Sequence, residues 1–287
     1  MPGFLYRRPA TLEEALELLA GGDEETRVLA GGQSLVPMIS LGLAQPRVVV
    51  DLNRIPDLDY ARPADRAVII GPLTRHRMLE HADPDLAAAA PLLPAAGALI
   101  GHAAIRNRGT FLGSLAHADP AAEWPAVAVA LGAELLLASR HGQRTVSAAD
   151  FFAGPLMTTL APDELLLEAR LPAAGARTGA SVKELIYRHG DYAVVGVAAQ
   201  LSLAEDGTIS GAHLGLFSVG PTPLRATSAE QALVGAGPAA FPAAAREAQT
   251  VAEPESDATA SAEYRREMVG VFAQRALDEA YRRALRS

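Results

Sequence analysis

The sequence predicts an α+β chain in two parts: an alternating α/β region before roughly residue 175, and a strands-then-helices region after it. Three observations carry this. Of 287 residues, 49% are hydrophobic and 20% charged, so the chain can bury enough apolar surface to offset the entropy of ordering it. Up to Leu171, short apolar runs alternate with helix-like segments that open on capping residues. At Pro172-Ala173-Ala174-Gly175 the composition becomes that of a linker, and three strand-like runs then follow in succession.

The first helix opens at Thr11, where Thr11-Leu12-Glu13-Glu14 sets a hydroxyl three residues before a carboxylate and Leu12, Ala15, Leu16 and Leu19 recur at helical spacing. Gly21-Gly22 ends it. Arg27 to Ala30 reads as a buried strand, Gly31-Gly32 as a turn, and Ser34 to Leu41 as a helix capped by Gln33 or Ser34. Arg47 to Leu52 completes a βαβ-like start, and Asn53-Arg54-Ile55-Pro56-Asp57 breaks the pattern near residue 55. The middle region reads as strand 67–70, helix 75–81, one alanine-rich helix 86–101, helix 124–131, strand 133–139 and strand 165–171. Beyond the linker, strands over 181–188, 193–204 and 208–219 are expected, the last two joined by the Glu205-Asp206-Gly207 turn. Helices 226–233, 242–248 and 261–285 close the chain. The expected division is 1–55, 56–175 and 176–287.

Composition excludes several function classes. Thirty-three acidic against 25 basic side chains give a net charge of −8, with no basic face to displace counterions from nucleic acid. Cysteine is absent, which removes disulfides, thiol nucleophiles and any iron–sulfur cluster held by this chain's own thiolates. Electrons reaching the protein must come from elsewhere. Arg7 and Arg8 precede no long apolar stretch and no run is long enough to span a bilayer, so a cytoplasmic location is expected. Lys183 is the only lysine among the basic residues.

Two segments suit an anion. In Leu29-Ala30-Gly31-Gly32-Gln33-Ser34-Leu35 a strand runs through two glycines into a helix start, where backbone can approach an anion and free N–H groups point at it. The segment is neither a G-x-G-x-x-G fingerprint nor a P-loop, and it equally reads as a plain turn. Gly32-Gln33-Ser34-Leu35-Val36 lacks the closing glycine of a nucleophile elbow. The second segment, Ile105 to Glu123, clusters Gly109, Thr110, Gly113 and Ser114 between two helices as a second cradle facing the first. Asp119 and Glu123 repel phosphate but can accept hydrogen bonds from sugar or ribityl hydroxyls. His117, Asp119 and Glu123 are also metal-ligand types, and Asp119 alone suits a capping role.

These stretches, with Arg188-His189-Gly190-Asp191-Tyr192-Ala193 and Val219-Gly220-Pro221-Thr222-Pro223, closely resemble the FAD-binding medium subunit of molybdenum hydroxylases, the carbon monoxide dehydrogenase and xanthine dehydrogenase family. The likeness runs from Phe4 to the Tyr264-Arg265-Arg266 helix. It implies a two-subdomain PCMH-type, vanillyl-alcohol-oxidase-like FAD-binding domain, then an α+β domain with a three-stranded antiparallel sheet and helices. It also implies a dimer of heterotrimers: a large subunit oxidising substrate at a molybdenum cofactor, a small one carrying two [2Fe–2S] clusters, and this flavoprotein passing electrons to an acceptor. A stand-alone flavoprotein oxidoreductase and a flavin-less assembly module are the rival readings.

Carried over by position, the resemblance implies that Leu29 to Leu35 and Thr110 to Ser114 hold the FAD pyrophosphate. Glu123 would bind polar cofactor hydroxyls with Asp119 close by, Ile100 would touch the adenine and Leu160 the flavin. Lys183 would reach the cofactor or else be a solvated strand residue, and Tyr192 would cover one face of the isoalloxazine ring or else be an interface aromatic. No catalytic residue and no metal ligand is assigned to this chain. The family's second turn usually carries a glycine where this chain has Leu112. Either the β-carbon pushes the diphosphate outward, at a cost of about 1 kcal/mol or more if φ must be positive, or Phe111-Leu112 packs on the cofactor or a neighbouring helix.

Overall fold

The computed structural model describes residues 3–22 and 25–287. The chain begins with β1 (Leu5–Arg7), α1 (Leu12–Ala20), β2 (Thr26–Leu29), α2 (Leu35–Ser40) and β3 (Val48–Asp51). The three strands form a wholly parallel sheet in the order β1-β3-β2, so β2-α2-β3 is the expected βαβ unit. Thr11 caps α1 by accepting the Glu14 N–H at 3.2 Å, an interaction worth about 1 kcal/mol, while the Glu14 carboxylate accepts from Ala10 N–H at 2.8 Å. A small core of Ala15, Leu19, Val50, Leu52 and Leu73 seals this sheet under α1.

The second sheet is antiparallel, in the order β4-β5-β10-β6-β7, built from β4 (Ala61–Ala64), β5 (Ala67–Ile70), β6 (Glu134–Ser139), β7 (Gly142–Ser147) and β10 (Leu165–Pro172). A ribbon of β8 (Phe152–Gly154) and β9 (Met157–Thr158) lies beside it in the chain. Between β5 and β6 come α3 (His76–Glu80), α4 (Pro84–Ala89), α5 (Leu92–Gly97), α6 (Ala103–Arg106), α7 (Phe111–His117) and α8 (Glu123–Leu131), and α9 (Ala148–Phe151) follows β7. The single helix expected over 86–101 is two helices. Pro91 disfavours helical geometry at the residue before it, and Ala90 accordingly sits at φ −146°, ψ 72°. Every residue of α8 from Trp124 to Leu131 is buried, as befits a helix apolar on all sides that is packed from both faces.

The C-terminal part is an antiparallel sheet, β11 (Thr178–Leu185), β12 (Val195–Leu203), β13 (Ile209–Phe217) and the two-residue edge β14 (Leu224–Arg225). The three long strands are those expected, and Asp206 closes the β12–β13 turn by accepting from Thr208 N–H at 2.9 Å. Helices α10 (Thr227–Leu233), α11 (Phe241–Val251) and α12 (Ala262–Ala284) cover one face of this sheet, with Ser261 capping α12. The other face joins the central core: Ala180, Val182, Ala198 and Phe217 pack with Trp124, Phe111 and Leu115. Alternation along β11 therefore sends its even-numbered residues toward the α/β region and its odd-numbered ones toward α12.

Candidate functional site

The two glycine-bearing segments meet. A Cβ on Gly31 would run into the Arg108 carbonyl oxygen and lie 2.6 Å from Gly109 Cα, so the backbones touch where only hydrogen fits. Ala30 Cβ lies 3.9 Å from where a Cβ on Gly113 would stand, a second contact between the segments. Gly32 turns the chain at φ +72° into α2. Neither expected cap forms there: Ser34 occupies the N-cap position without a side-chain bond, and Gln33 Nε2 turns back to the Gly31 carbonyl at 3.2 Å. Val36 N–H reaches Gly32 O at 3.2 Å, leaving the start of α2 without a side-chain cap.

The second segment is a helix start rather than a loop between helices. Thr110 caps α7 by accepting Gly113 N–H at 3.2 Å, and Ser114 N–H bonds Thr110 O at 3.0 Å. Leu112 lies in the helix, is not among the residues with positive φ, and is 2% exposed in the central core. Its side chain packs inward on that core, so the position needs no positive φ.

Two residues that sequence reasoning missed clamp the turns together. Asn53 Nδ2 donates to Ala30 O at 2.8 Å and to Asp51 Oδ1 at 2.5 Å, and Asn53 Oδ1 accepts from Arg75 Nη2 at 2.6 Å. Arg75 Nη1 then donates to the Arg108 carbonyl, so one chain of hydrogen bonds runs from the first turn to the second. Hydrogen bonds from Tyr6 and Asn53 hold Asp51 below the usual carboxylate range even though burial works the other way. Thr74 and His76 flank the second turn, Phe111 N–H bonding Thr74 O and His76 N–H bonding Gly109 O, both at 3.0 Å.

His76 is itself buried, and its Nδ1 accepts from the Trp124 indole N–H at 2.9 Å. Burial first, then the charges of Arg75 and Arg106, push its pKa down to about 4. The folded ring is therefore neutral where an unfolded one, at about 6.5, is half protonated. Below pH 6.5 the unfolded state binds the extra proton, so stability is full above about 6.5 and falls by roughly 3 kcal/mol as pH drops toward 4. Denaturant midpoints between these limits should slope less for His76→Gln than for the native chain, and equal slopes would refute this account of the acid limb.

Asp119, Glu123 and Tyr192 also come together. Asp119 Oδ1 caps the turn before α8 by accepting Ala121 N–H at 2.9 Å. Tyr192 is 62% exposed, yet its hydroxyl end is tucked against Asp119: burial there, then the charge and hydrogen bond of Asp119 and the charge of Glu123, push it up to about 12. Burial raises Glu123 to about 8, with Glu184 and Asp119 adding repulsion against its own backbone hydrogen bond. The turn that carries Tyr192 rests on the α/β region through a His102–His189 ring contact at 5.5 Å. Ile100 is 9% exposed in the central core, its carbonyl held by Arg106 at 3.1 Å, and Leu160 packs half-buried on the same core.

Lys183 does not join them. It is odd-numbered on β11, and its ammonium pairs with Glu279 of α12, on the face away from the cleft. Its neighbour Glu184 takes the cleft-facing side instead, as strand alternation alone would have placed it. Among the described residues no group of three or more His, Asp and Glu is arranged to hold a metal ion, and no helix is long and apolar enough to cross a membrane. Two surface hollows, of about 400 Å³ beside Leu5 and Arg47 and about 230 Å³ between α11 and α12, lie away from the turns.

The donor set fits a dinucleotide's diphosphate: backbone amides at an uncapped helix start, no carboxylate in either turn, and Arg75 and Arg108 alongside. Residues 2–174 match the FAD binding domain in molybdopterin dehydrogenase, and residues 180–280 match the CO dehydrogenase flavoprotein C-terminal domain. The chain is 37% identical to the carbon monoxide dehydrogenase medium chain of Hydrogenophaga pseudoflava, over 98% of both chains. It is 38% identical to the nicotine 6-hydroxylase medium subunit of Paenarthrobacter nicotinovorans, again over 98% of both. The solved structure of the Hydrogenophaga pseudoflava carbon monoxide dehydrogenase that lacks the Mo-pyranopterin moiety superposes with a TM-score of 0.93, at 39% identity, over 99% of each chain. A shared fold, both domains in order and identity sustained along the whole length place this chain in one family: it belongs to the FAD-binding medium subunits of molybdenum hydroxylases.

Proposed function

We propose that the chain is the electron-relaying flavoprotein of a cytoplasmic molybdenum hydroxylase, assembled as a dimer of heterotrimers. In this reading electrons enter from a small subunit's [2Fe–2S] clusters, a large subunit oxidises substrate at its molybdenum cofactor, and an external acceptor discharges this chain. Bound FAD supplies one- and two-electron redox chemistry. The observation that carries the reading is the clamped pair of turns, Gly31 against Gly109, joined through Asn53 and Arg75. Their amides hold the diphosphate, Glu123 and Asp119 accept from the cofactor's hydroxyls, and Tyr192 stands over the ring. The inward packing of Leu112 favours this over a flavin-less assembly module, because the side chain in place of the family's glycine is taken up by the core. Absence of cysteine agrees with clusters housed in another polypeptide.

Relatives named for carbon monoxide and for nicotine stand at nearly equal identity to this chain, which agrees with substrate choice residing in the large subunit. Purification from the native source with metal analysis tests the assembly. Flavin should be recovered on this chain, and molybdenum and iron only on co-purifying subunits. Full turnover by the isolated flavoprotein would contradict it. Tyr192→Ala should keep its flavin and its fold, since the ring is largely exposed, while dioxygen reoxidises the reduced protein faster; an unchanged rate would remove Tyr192 from that role.

A further inference from the structure

Glu184 shares the face of β11 that holds Ala180 and Val182, and its charge acts on Glu123 at the start of α8. Its Oε2 is sealed from solvent and has no hydrogen-bond partner. A charged carboxylate oxygen sealed from water without a partner is unfavourable, and the neighbouring groups do not offset it. Glu123 and Asp119 are acids, the Tyr192 hydroxyl is engaged with Asp119, and His117 at the end of α7 lies beside Asp119. The residue opposite on β12 is Gly196, α5 brings no titratable group, and Lys183 and Glu279 satisfy one another on the far face. Burial alone raises Glu184 to about 7.

We propose that Glu184 is a further cofactor-contacting residue, which meets FAD as a neutral carboxylic acid and donates a hydrogen bond to one of its acceptor atoms, making flavin binding proton-dependent. The inference rests on the flavin reading. A second acid beside Glu123 can face an anionic cofactor only by keeping its proton, and that proton makes the Glu184 carboxyl a hydrogen-bond donor. Binding then favours the protonated form, so affinity is constant below the free protein's titration and declines above it.

The test is FAD titration of the full chain stripped of flavin, followed by flavin fluorescence from about pH 6 to about pH 9, with folding checked by circular dichroism. The native chain should lose up to about tenfold in affinity per pH unit above about pH 7. Glu184→Gln, which still donates but cannot titrate, should keep the low-pH affinity and move the onset of the decline from about pH 7 to about pH 8, where Glu123 titrates. Glu184→Ala should bind about tenfold more weakly at the acid end. Native affinity in Glu184→Ala, or a decline that still begins at about pH 7 in Glu184→Gln, overturns the assignment of Glu184 alone. A native chain that takes up no flavin at any pH overturns the flavin reading as well.

Discussion

Gly31→Val should yield a folded but colourless protein. The new β-carbon would meet the Arg108 carbonyl and Gly109 Cα, which are main-chain atoms that no rotamer change can move aside. Overpacking of this kind costs about 1–3 kcal/mol, and here relief comes only by parting the two turns. Parting them stretches the bond from Asn53 to Ala30 and the bond from Arg75 to Arg108, so the amides no longer converge on one anion. Flavin affinity should fall by roughly a hundredfold, the equivalent of about 2.7 kcal/mol, while far-ultraviolet circular dichroism stays close to native. A Gly31→Val protein that retains a full complement of flavin would show that the contact between the turns is incidental.

The second large effect lies beneath the same turns. Trp124 is fully buried, packs on Phe111 at 5.0 Å between ring centroids, and gives its indole N–H to His76. Trp124→Ala should destabilise by about 4 kcal/mol, from lost burial, the cavity and the stranded His76 acceptor together. That is a large part of the roughly 5–15 kcal/mol that holds a domain folded. Because His76 N–H and Thr74 O support Gly109 and Phe111, flavin should be lost at lower denaturant than the global transition. Trp124→Phe keeps most of the packing and separates the hydrogen bond from the volume. Native stability in Trp124→Ala would contradict the role given to this cluster.

Much of the framework was legible because local chemistry and tertiary context agree. Thr11 and Ser261 are found as caps, Val68 and Ile70 alternate as a strand should, and Asp206-Gly207 makes the turn its composition suggests. Illegible elements lacked a hydrophobic period. β7 (Gly142–Ser147) is a polar edge strand with little buried surface, and α7 contains Gly113 and Ser114, whose weak helix propensity masks the Thr110 cap. In the cleft, the glycine turns could be read because close approach demands a particular residue type. Asn53 and Arg75 could not, since their partners Ala30 and Arg108 lie far away in sequence. Carry-over by position sets Lys183 at the cofactor, whereas the alternation of β11 turns it toward Glu279 of α12 and Glu184 toward the opposite face.

A crystal structure of the chain with FAD tests the central claim most directly. The account predicts the diphosphate within hydrogen-bond distance of amides in Gly32 to Leu35 and of the Leu112 N–H, since Phe111, Gly113 and Ser114 already donate to Thr74 and Thr110, with Gly31 still seated on Gly109 and the ring beneath Tyr192. A diphosphate held by one turn alone, or by side chains elsewhere in the fold, would contradict it.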